Sequence, residues 1–161
     1  MTPCMRTDEE VVATRNGICV GSEMAGGVEN IVVTNNTVET TGAAIYFKSN
    51  LDRGAYVKDV VVDGLNAGRA GQCVKFDNNY HGARGGNFPT LFQNYTISNV
   101  RCGHMKSTAL VVDGLPQMPV RDVVMKHVHV EQAAQATDFK NTVGFEFVDV
   151  TVNGKAVPAP K

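Results

Sequence analysis

A short apolar segment recurs along this chain at a nearly constant interval, and this recurrence restricts the fold more than any other feature of the sequence. Each copy starts with an apolar residue, has Asn or Asp two places later, and continues with apolar residues three and five places on. The copies start at Val28, Val57, Phe92, Val120 and Phe147. Self-similarity with a period of roughly 20 to 50 residues is typical of solenoids, in which each repeat forms one coil.

A second series of apolar segments lies between these copies. It comprises "GICVGSE" from Gly17, "AIYFKSN" from Ala44, "CVKFDNN" from Cys73 and "ALVVDGL" from Ala109, and the longest interval contains the insertion "NNYHGARGGNFPT". The segment "VEQAAQATDF" is the only helical candidate, and it is short. Two or three short strands per coil, with Asn, Asp and Gly at the corners, predict an all-β, right-handed parallel β-helix, a single-stranded solenoid of about five coils. Leucine-rich repeats are the alternative, but their Leu and Asn pattern is missing.

Composition agrees with one folded domain. The 161 residues are 43% hydrophobic and 19% charged, which is typical of a globular chain. We expect coils over residues 17–154, a leading segment or partial cap at 1–16 and a tail at 155–161. The formal charge of -1 provides no excess of basic residues with which to bind nucleic acid. The sequence has no apolar segment long enough to suggest a membrane.

The four cysteines and the histidines predict neither a metal site nor a cofactor. Cys4, Cys19, Cys73 and Cys102 lack CxxC spacing, which argues against structural zinc. Three disulfide pairings are open in an oxidising compartment, but we expect free, mostly buried thiols instead. His127 and His129 share a face without an evident third ligand.

The apolar pairs of the second series fix which residues face outward. Side chains in a strand alternate between its two faces, and equivalent strands of successive coils stack about 4.8 Å apart. Burying each apolar pair places Lys48, Asp77 and Asp113 in one outward column and Tyr46 and Lys75 in the next; the buried pairs are Ile18 with Val20, Ile45 with Phe47, Val74 with Phe76 and Leu110 with Val112.

Each outward residue also has an ordinary structural interpretation. Lys48 could be a solvated lysine, and Asp77 could simply form a surface ion pair with it. Asp113 is followed by Gly114, which favours a turn aspartate. His81 lies in the insertion, where contact with sugar hydroxyls and a mobile loop histidine are both open.

The quoted segments resemble a known enzyme family. "NGICVGSEMAGGVENIVVTNNTV" followed by "AIYFKSNLDRGAYVKDVVVDGL" looks like the family-28 glycoside hydrolases, the polygalacturonase family, between their Gly-His-Gly and Arg-Ile-Lys motifs. The resemblance continues through "NNYHG", "FPTLFQNYTISNVRC", "ALVVDGLP" and "VGFEFVDVTVNG". It covers most of this sequence but only the C-terminal part of a family member.

The resemblance implies a set of substrate-binding residues. Gly17 matches the second glycine of Gly-His-Gly, and Asn16 stands in place of its histidine. Lys48 matches the lysine that helps to hold a galacturonate carboxylate in the family, and Tyr46 replaces the arginine of that motif. Tyr80 lies where family members often have an active-site tyrosine.

Lys75 joins this set because it shares an outward column with Tyr46. The family's general acid and base are aspartates in an Asn-Thr-Asp motif and an Asp-Asp pair upstream of Gly-His-Gly, and inversion needs two carboxyl groups roughly 6.5 to 9.5 Å apart. Neither motif occurs here, and the acidic residues before Asn16 are Asp8, Glu9 and Glu10. Asp77 and Asp113 remain as weak catalytic candidates.

Two functions follow from these residues. The resemblance implies polygalacturonase-like hydrolysis of α-1,4-galacturonan, the pectin backbone, by inversion, with this chain as the C-terminal portion of such an enzyme. It also implies a secreted or periplasmic location, although "MTPCMRTDEE" lacks the pattern of a secretory signal. The alternative is a catalytically silent β-helix that binds an acidic polysaccharide through Lys48, Lys75 and Tyr46, or that is structural.

The ends of the solenoid predict an oligomer. Pro158 and Pro160 cannot donate hydrogen bonds to a further strand, so they stop the stack at the C-terminal end. Nothing comparable protects the N-terminal end, and an unpaired strand edge invites pairing with another chain. We therefore expect self-association through the first coil, most simply as a two-fold dimer. If "VVATRNG" covers the end as a cap, a monomer is expected instead.

Overall fold

The computed structural model describes residues 10–13, 15–24 and 26–161, and for residues 10–13 only the backbone is considered. Strands dominate this part of the chain, and it contains no helix. The strands are β1 (Glu10–Ala13), β2 (Ile18–Val20), β3 (Val28–Thr40), β4 (Ala43–Lys48), β5 (Tyr56–Ala70), β6 (Gln72–Asp77), β7 (Leu91–Asp113), β8 (Val120–Lys140), β9 (Thr142–Val152) and β10 (Lys155–Ala156). The segment "VEQAAQATDF" lies inside β8.

The strands pair in parallel along two series, which is the arrangement of a parallel β-helix. β1, β3, β5, β7, β8 and β9 pair in that order, and β2, β4, β6 and the end of β7 form the second series. β7 and β8 are long because they continue through a corner and contribute to more than one face. The exception is β10, which pairs with β9 in antiparallel orientation.

The Asn and Asp of the repeat occupy corners with left-handed backbone. Asn30, Asp59, Asn94 and Asp122 follow one another in register with φ between 56° and 62°. Asn and Asp tolerate this conformation better than other residues that carry a Cβ, because their short polar side chains can form hydrogen bonds locally. The repeat therefore marks a corner of the coil.

The last copy of the repeat is out of register, which corrects the expected alignment. Val120 pairs with Thr142, whereas Phe147 pairs with Met125, five residues further along β8. The next member of the corner series is Gly144, with φ 68°. Asp149 instead continues a second left-handed corner that also contains His127. The final coil is thus shorter than the repeat spacing predicts.

The predicted register of the second series is confirmed. Ile45 pairs with Ile18 and Val74, and Phe47 pairs with Val20 and Phe76. The same rows continue into β7 at Leu110 and Val112. From β4 onward these side chains are buried, and they face the interior of the coil stack as the apolar pairing requires.

Aromatic rings fill the middle of the core. Phe47 lies 5.1 Å from Phe76 and 4.8 Å from Tyr95, between ring centroids, and Phe76 lies 4.9 Å from Tyr95. The Tyr95 hydroxyl donates to the Val57 carbonyl oxygen at 2.7 Å. This bond satisfies the one polar atom of a fully buried side chain, and burial raises the pKa of Tyr95 well above its usual range.

The expectation of free thiols is wrong for two cysteines. Cys73 and Cys102 form a disulfide, with both residues fully buried and their Cα atoms 6.0 Å apart. Cys19 is a free, half-buried cysteine, and Cys4 lies outside the described residues. CxxC spacing indicates metal ligands and carries no information on disulfides between distant residues. Cys73 and Cys102 lie on two sides of one coil stack and face a shared interior.

Candidate functional site

The predicted outward columns form on the second series of strands. Lys48 at the end of β4 pairs with Asp77 of β6, and Asp77 pairs with Asp113 of β7. In the neighbouring column, Tyr46 pairs with Lys75. These residues lie one position away from the buried rows, so the interior packing of β4 and β6 fixes the positions from which they project.

Lys48 places its ammonium group over aromatic rings. Its Nζ lies 4.3 Å from the Tyr80 ring centroid and 5.4 Å from that of Tyr46. Tyr46 and Tyr80 themselves meet edge to face at 6.2 Å. Cation–π contacts at exposed sites contribute about 0.5 to 1 kcal/mol. They hold the cation in place without neutralising it, so Lys48 remains available to an anion.

The expected surface ion pair between Lys48 and Asp77 does not form. The Asp77 carboxylate instead pairs with Lys75, whose Nζ lies 3.1 Å from Asp77 Oδ2. Oδ2 also accepts a hydrogen bond from the Tyr46 hydroxyl at 2.9 Å, and Oδ1 accepts one from the Asn79 N–H at 3.0 Å. Because both oxygens are occupied, Asp77 positions Tyr46 and Lys75 on the face of the sheet.

Tyr46 is held as a hydrogen-bond donor. Burial, and then the negative charge of Asp77, raise the pKa of Tyr46 well above its usual range. The phenol therefore keeps its proton at every physiological pH, and its oxygen also accepts from Lys75 Nζ at 3.3 Å. Together the three side chains form a closed polar network beside the Lys48 ammonium.

The insertion that follows β6 brings Tyr80 to this face. The Tyr80 N–H donates to the Ser49 carbonyl oxygen at 2.9 Å. The Asn50 side-chain amide donates to the carbonyl oxygens of Tyr80 and Gly82 at 3.1 and 3.0 Å. Ser49 and Asn50, the two residues directly after Lys48, thus hold the insertion. Their hydrogen bonds to the backbone of Tyr80 fix the position of its side chain.

Asp52 anchors the middle of the same insertion. Its carboxylate accepts the N–H groups of Arg84 and Gly86, each at 2.8 Å. These two bonds are the main reason why the pKa of Asp52 is lowered. A lowered pKa means that the charged form stabilises the fold. This contribution is complete above the usual carboxyl pKa and is lost as the pH falls through the folded-state value.

A polar cleft opens between the insertion and the preceding loops. Glu23 and Arg53 form an ion pair of 3.1 Å inside it. Tyr80 belongs both to this cleft and to the ring contacts of Lys48, so the two regions adjoin. The lining residues are Ser22, Glu23, Asn50, Asp52, Arg53, Tyr80, His81, Gly82 and Arg84.

Asn16, in contrast, is not brought to Lys48. The pairing of Ile18 with Ile45 sets Asn16 level with Ala43, five residues before Lys48 along the strand. At about 3.3 Å per residue this separates the two levels by roughly 16 Å. Asn16 therefore lies apart from the other predicted residues. Those residues form one group, which contains Lys48, Tyr46, Tyr80, Lys75 and Asp77.

Asp113 continues the column: it pairs with Asp77 of β6 on one side and with Lys140 of β8 on the other. Its carboxylate forms no ion pair with any described residue, and its backbone carbonyl oxygen accepts the Asn78 N–H at 3.0 Å. His81 packs against Tyr80, with ring centroids 4.0 Å apart. Its backbone has a left-handed φ of 58°. His81 therefore belongs to the cleft, next to the ring that Lys48 contacts.

Sequence reasoning missed Asn50, Asp52, Arg53 and Arg84. Asn50 is the last residue of the "AIYFKSN" segment, Asp52 follows two places later, and Arg84 lies in the insertion. The length of the insertion was the available signal. A loop of that size needs backbone hydrogen bonds, and nearby Asn and Asp side chains are the usual acceptors and donors.

His127 and His129 meet a carboxylate that the sequence did not suggest. Asp149 Oδ2 lies 2.9 Å from His127 Nδ1 and 3.2 Å from His129 Nε2. The hydrogen bond from His127 is the largest cause of the lowered pKa of Asp149. Across residues 15–24 and 26–161, no group of three or more His, Cys, Asp or Glu side chains is arranged to hold a metal ion.

The fold and the outward group define a parallel β-helix with a polar face of lysines and tyrosines. No family model matches the chain. It is 26% identical to the "probable polygalacturonase" of Vitis vinifera over 129 residues, covering 74% of this chain and 25% of that protein. It is 31% identical to the polygalacturonase of Ralstonia solanacearum over 88 residues, covering 52% of this chain and 16% of that protein.

A solved structure shares the fold. The hyperthermoactive exopolygalacturonase of Thermotoga maritima superposes with a TM-score of 0.75 at 24% identity, over 90% of this chain and 33% of that one. The chain thus spans between a sixth and a third of the proteins it matches. Its resemblance to the polygalacturonases, the family-28 glycoside hydrolases, is confirmed over that part of their length.

Proposed function

We propose that this chain forms the substrate-groove portion of a polygalacturonase-like glycoside hydrolase that cleaves α-1,4-galacturonan by inversion. The groove lies on the face built by β2, β4, β6 and the end of β7, in a right-handed solenoid of about five coils. One observation carries the proposal: Lys48 has an ammonium group without an ion pair among the described residues. It is held over Tyr80 on the face that contains the "AIYFKSN" segment.

The charges of this face suit a uronate sugar. The pair of Lys75 with Asp77 is internally neutral, so Lys48 supplies a positive charge of its own beside the Tyr46 phenol. A carboxylate bound to an ammonium forms a charge-assisted hydrogen bond, which is about twice as strong as a neutral one. The partly exposed Tyr80 ring adds apolar area on which a sugar can lie. This combination favours an acidic polysaccharide over a neutral one.

Hydrolysis also needs two carboxyl groups with different roles. Both oxygens of Asp77 already accept hydrogen bonds, which leaves Asp113 as the one carboxylate in that column free of an ion pair with a described residue. This observation favours the second candidate function, a catalytically silent β-helix that binds an acidic polysaccharide without cleaving it.

The two functions are separated by measuring release and retention on the same polymer. The full chain is incubated with sodium polygalacturonate, reducing ends are measured, and affinity electrophoresis in gels containing the polymer is run in parallel. Release of reducing ends supports the hydrolase. Retardation without release supports the binder, and neither release nor retardation would overturn both.

Lys48→Ala is expected to weaken binding of polygalacturonate about tenfold or more. A net hydrogen bond to a charged group contributes about 1.5 to 3 kcal/mol, and 1.4 kcal/mol corresponds to a factor of ten. The melting temperature should stay close to that of the parent, because the ammonium group lies outside the core. Lys126→Ala is the matched control, an exposed lysine on β8 away from this face. Equal affinities for Lys48→Ala and Lys126→Ala would remove Lys48 from the site.

We also propose that the chain associates with a second copy through its first coil. Among the described residues, β1 pairs only with β3 and β2 only with β4, so each has one open edge. An apolar cleft containing Val20, Met24 and Ile31 lies beside β2. Light scattering at low micromolar concentration should give twice the chain mass of 17.3 kDa. A strict monomer with slow amide exchange at residues 17–23 would refute this proposal.

A further inference from the structure

A wide polar groove lies on a part of the solenoid that does not contain Lys48. It has a volume of about 990 Å³ and is lined by residues of β3, β5, β7 and β8. It shares no lining residue with the cleft that contains Tyr80. The groove is therefore separate from the face that is built by β2, β4 and β6.

Strand register places two arginines of this groove on neighbouring coils. Arg69 of β5 pairs with His104 of β7. Arg101 of β7 pairs with Asn66, which precedes Arg69 by three residues. The two arginines are therefore offset by at most about 10 Å along the strand direction. Both are exposed and line the same groove, so one ligand can contact both guanidinium groups.

The charged side chains of the groove are not engaged with one another. Among the described residues, neither Arg69 nor Arg101 forms an ion pair or a side-chain hydrogen bond. Glu39 and Glu131 line the same groove, and each is likewise without an ion pair in that part of the chain. The groove thus presents two cations and two anions whose partners must come from outside the fold.

The backbone that carries these side chains is held in place. Cys102, the residue after Arg101, is fully buried and forms the disulfide with Cys73. On the other wall, His104 Nδ1 lies 3.0 Å from Gln132 Oε1. A preformed groove loses less conformational entropy on binding than a mobile one, so a ligand does not have to order the strands.

Unpaired charges of both signs suit a ligand that carries carboxylates and hydroxyls together. A guanidinium binds a carboxylate through two parallel hydrogen bonds. An ionised glutamate is only an acceptor, so it needs a donor such as a sugar hydroxyl. A neutral sugar would leave both guanidinium groups without a charged partner, and the two glutamates would repel a ligand of high negative charge density.

We propose that this groove is a second saccharide-binding site, which holds a uronate-containing oligosaccharide with its carboxylates at Arg69 and Arg101 and its hydroxyls at Glu39 and Glu131. The inference goes beyond the proposed function, because no residue of the Lys48 face takes part. Two separate faces bind one acidic polymer more tightly than either face alone, since the second contact is intramolecular.

Two-dimensional NMR of the isotope-labelled full chain locates the bound sugar. The probes are trigalacturonate, its methyl ester and a sulfated trisaccharide of neutral sugars. Trigalacturonate should shift the amide signals of residues 66–69 and 101–104 as a set separate from those of residues 46–50. The methyl ester and the sulfated trisaccharide should bind the groove about tenfold more weakly, because the first lacks the carboxylate charge and the second is repelled by the glutamates.

Arg69→Ala/Arg101→Ala should weaken binding in the groove about tenfold or more and leave the shifts of residues 46–50 as in the parent. Lys48→Ala should have the opposite effect. Arg69→Lys/Arg101→Lys should recover only part of the loss, because an ammonium cannot bind bidentately. The melting temperature should stay near that of the parent in all three variants, since the substituted side chains project from the surface.

Shifts confined to residues 46–50 would refute the second site while the proposed function stands. Equal binding of the methyl ester or of the sulfated trisaccharide in the groove would also refute it, because recognition would then not depend on a uronate. Shifts confined to the groove would support the second site and remove Lys48 from the proposed function. A parent that shows no shift at either place overturns both.

Discussion

Phe47→Ala should lower the free energy of unfolding by about 3 to 5 kcal/mol, the usual effect of truncating a buried phenylalanine. The Phe47 side chain is fully buried. Its ring centroid lies 5.1 Å from that of Phe76 and 4.8 Å from that of Tyr95. Those neighbours sit in parallel strands whose backbone pairing limits how far they can close the cavity. Most of the lost contact should therefore persist as a void.

Urea denaturation followed by fluorescence or circular dichroism measures this effect. The neighbouring residue of the same strand provides the control, since Lys48→Ala removes a long side chain that points away from the core. A large loss for Phe47→Ala beside a small one for Lys48→Ala is the expected pair of results. Similar midpoints for Phe47→Ala and the parent would refute the assignment of inner and outer faces in β4.

The alternation that underlies this prediction is readable from the sequence. The strand pairs in register with β2 and β6 because shifting it by one residue would turn Tyr46 and Lys48 into the coil interior in place of Ile45 and Phe47. A period of two with one apolar face therefore specifies register strongly. For this reason the columns containing Lys48 and Tyr46 could be predicted without a structure.

The register of the final coil could not be predicted in the same way. "FVDVTVNG" carries the same pattern as the earlier repeats, but two corners of the coil accept a left-handed residue. Gly144 occupies the first of these corners, and Asp149 falls at the second. A pattern that fits either corner does not distinguish between them, and the shorter coil is visible only once β8 and β9 are paired.

The side-chain partners within the site could likewise not be predicted from the sequence. The column order places Lys48 beside Asp77, but the side chain of Lys75 reaches the same carboxylate, and the Tyr46 hydroxyl completes the shell. The Lys75 and Asp77 side chains are 25% and 13% exposed, so this partly desolvated pair is screened less by solvent than a fully exposed pair would be. Strand periodicity predicts neighbours, while competition among neighbours depends on side-chain reach and burial.

The insertion shows the same limit at longer range. Asn50 and Asp52 form the hydrogen bonds that hold it. These two residues lie more than thirty positions earlier in the sequence than their partners Gly82, Arg84 and Gly86. The coil structure brings these segments together by stacking. Local sequence identifies a long polar loop, but the anchors belong to the preceding coil, so Arg84 could be placed in the cleft only from the structure.

Opening the Cys73–Cys102 disulfide should destabilise the protein by about 3 to 4 kcal/mol. The two cysteines are 29 residues apart in the sequence, and the chain-entropy estimate for closing a loop of that length falls in this range. The bond joins the start of β6 to β7 inside the core, so it restricts about one coil of the unfolded chain. Its loss should therefore act mainly by giving the unfolded state more conformational freedom.

The comparison uses the parent with and without reductant, together with Cys73→Ala/Cys102→Ala, which cannot form the bond. Cys19→Ala is the control, because Cys19 is a free cysteine in β2, in the same series of strands as Cys73. Mass spectrometry of alkylated protein verifies which thiols are closed before each urea titration. The midpoint should fall for the reduced parent and for the double variant, and it should stay near that of the parent for Cys19→Ala. If the parent with the disulfide verified as closed and the parent with it verified as open unfold at the same urea midpoint, the disulfide does not stabilise this coil stack. The apolar packing around Phe47 would then hold β6 and β7 together without it.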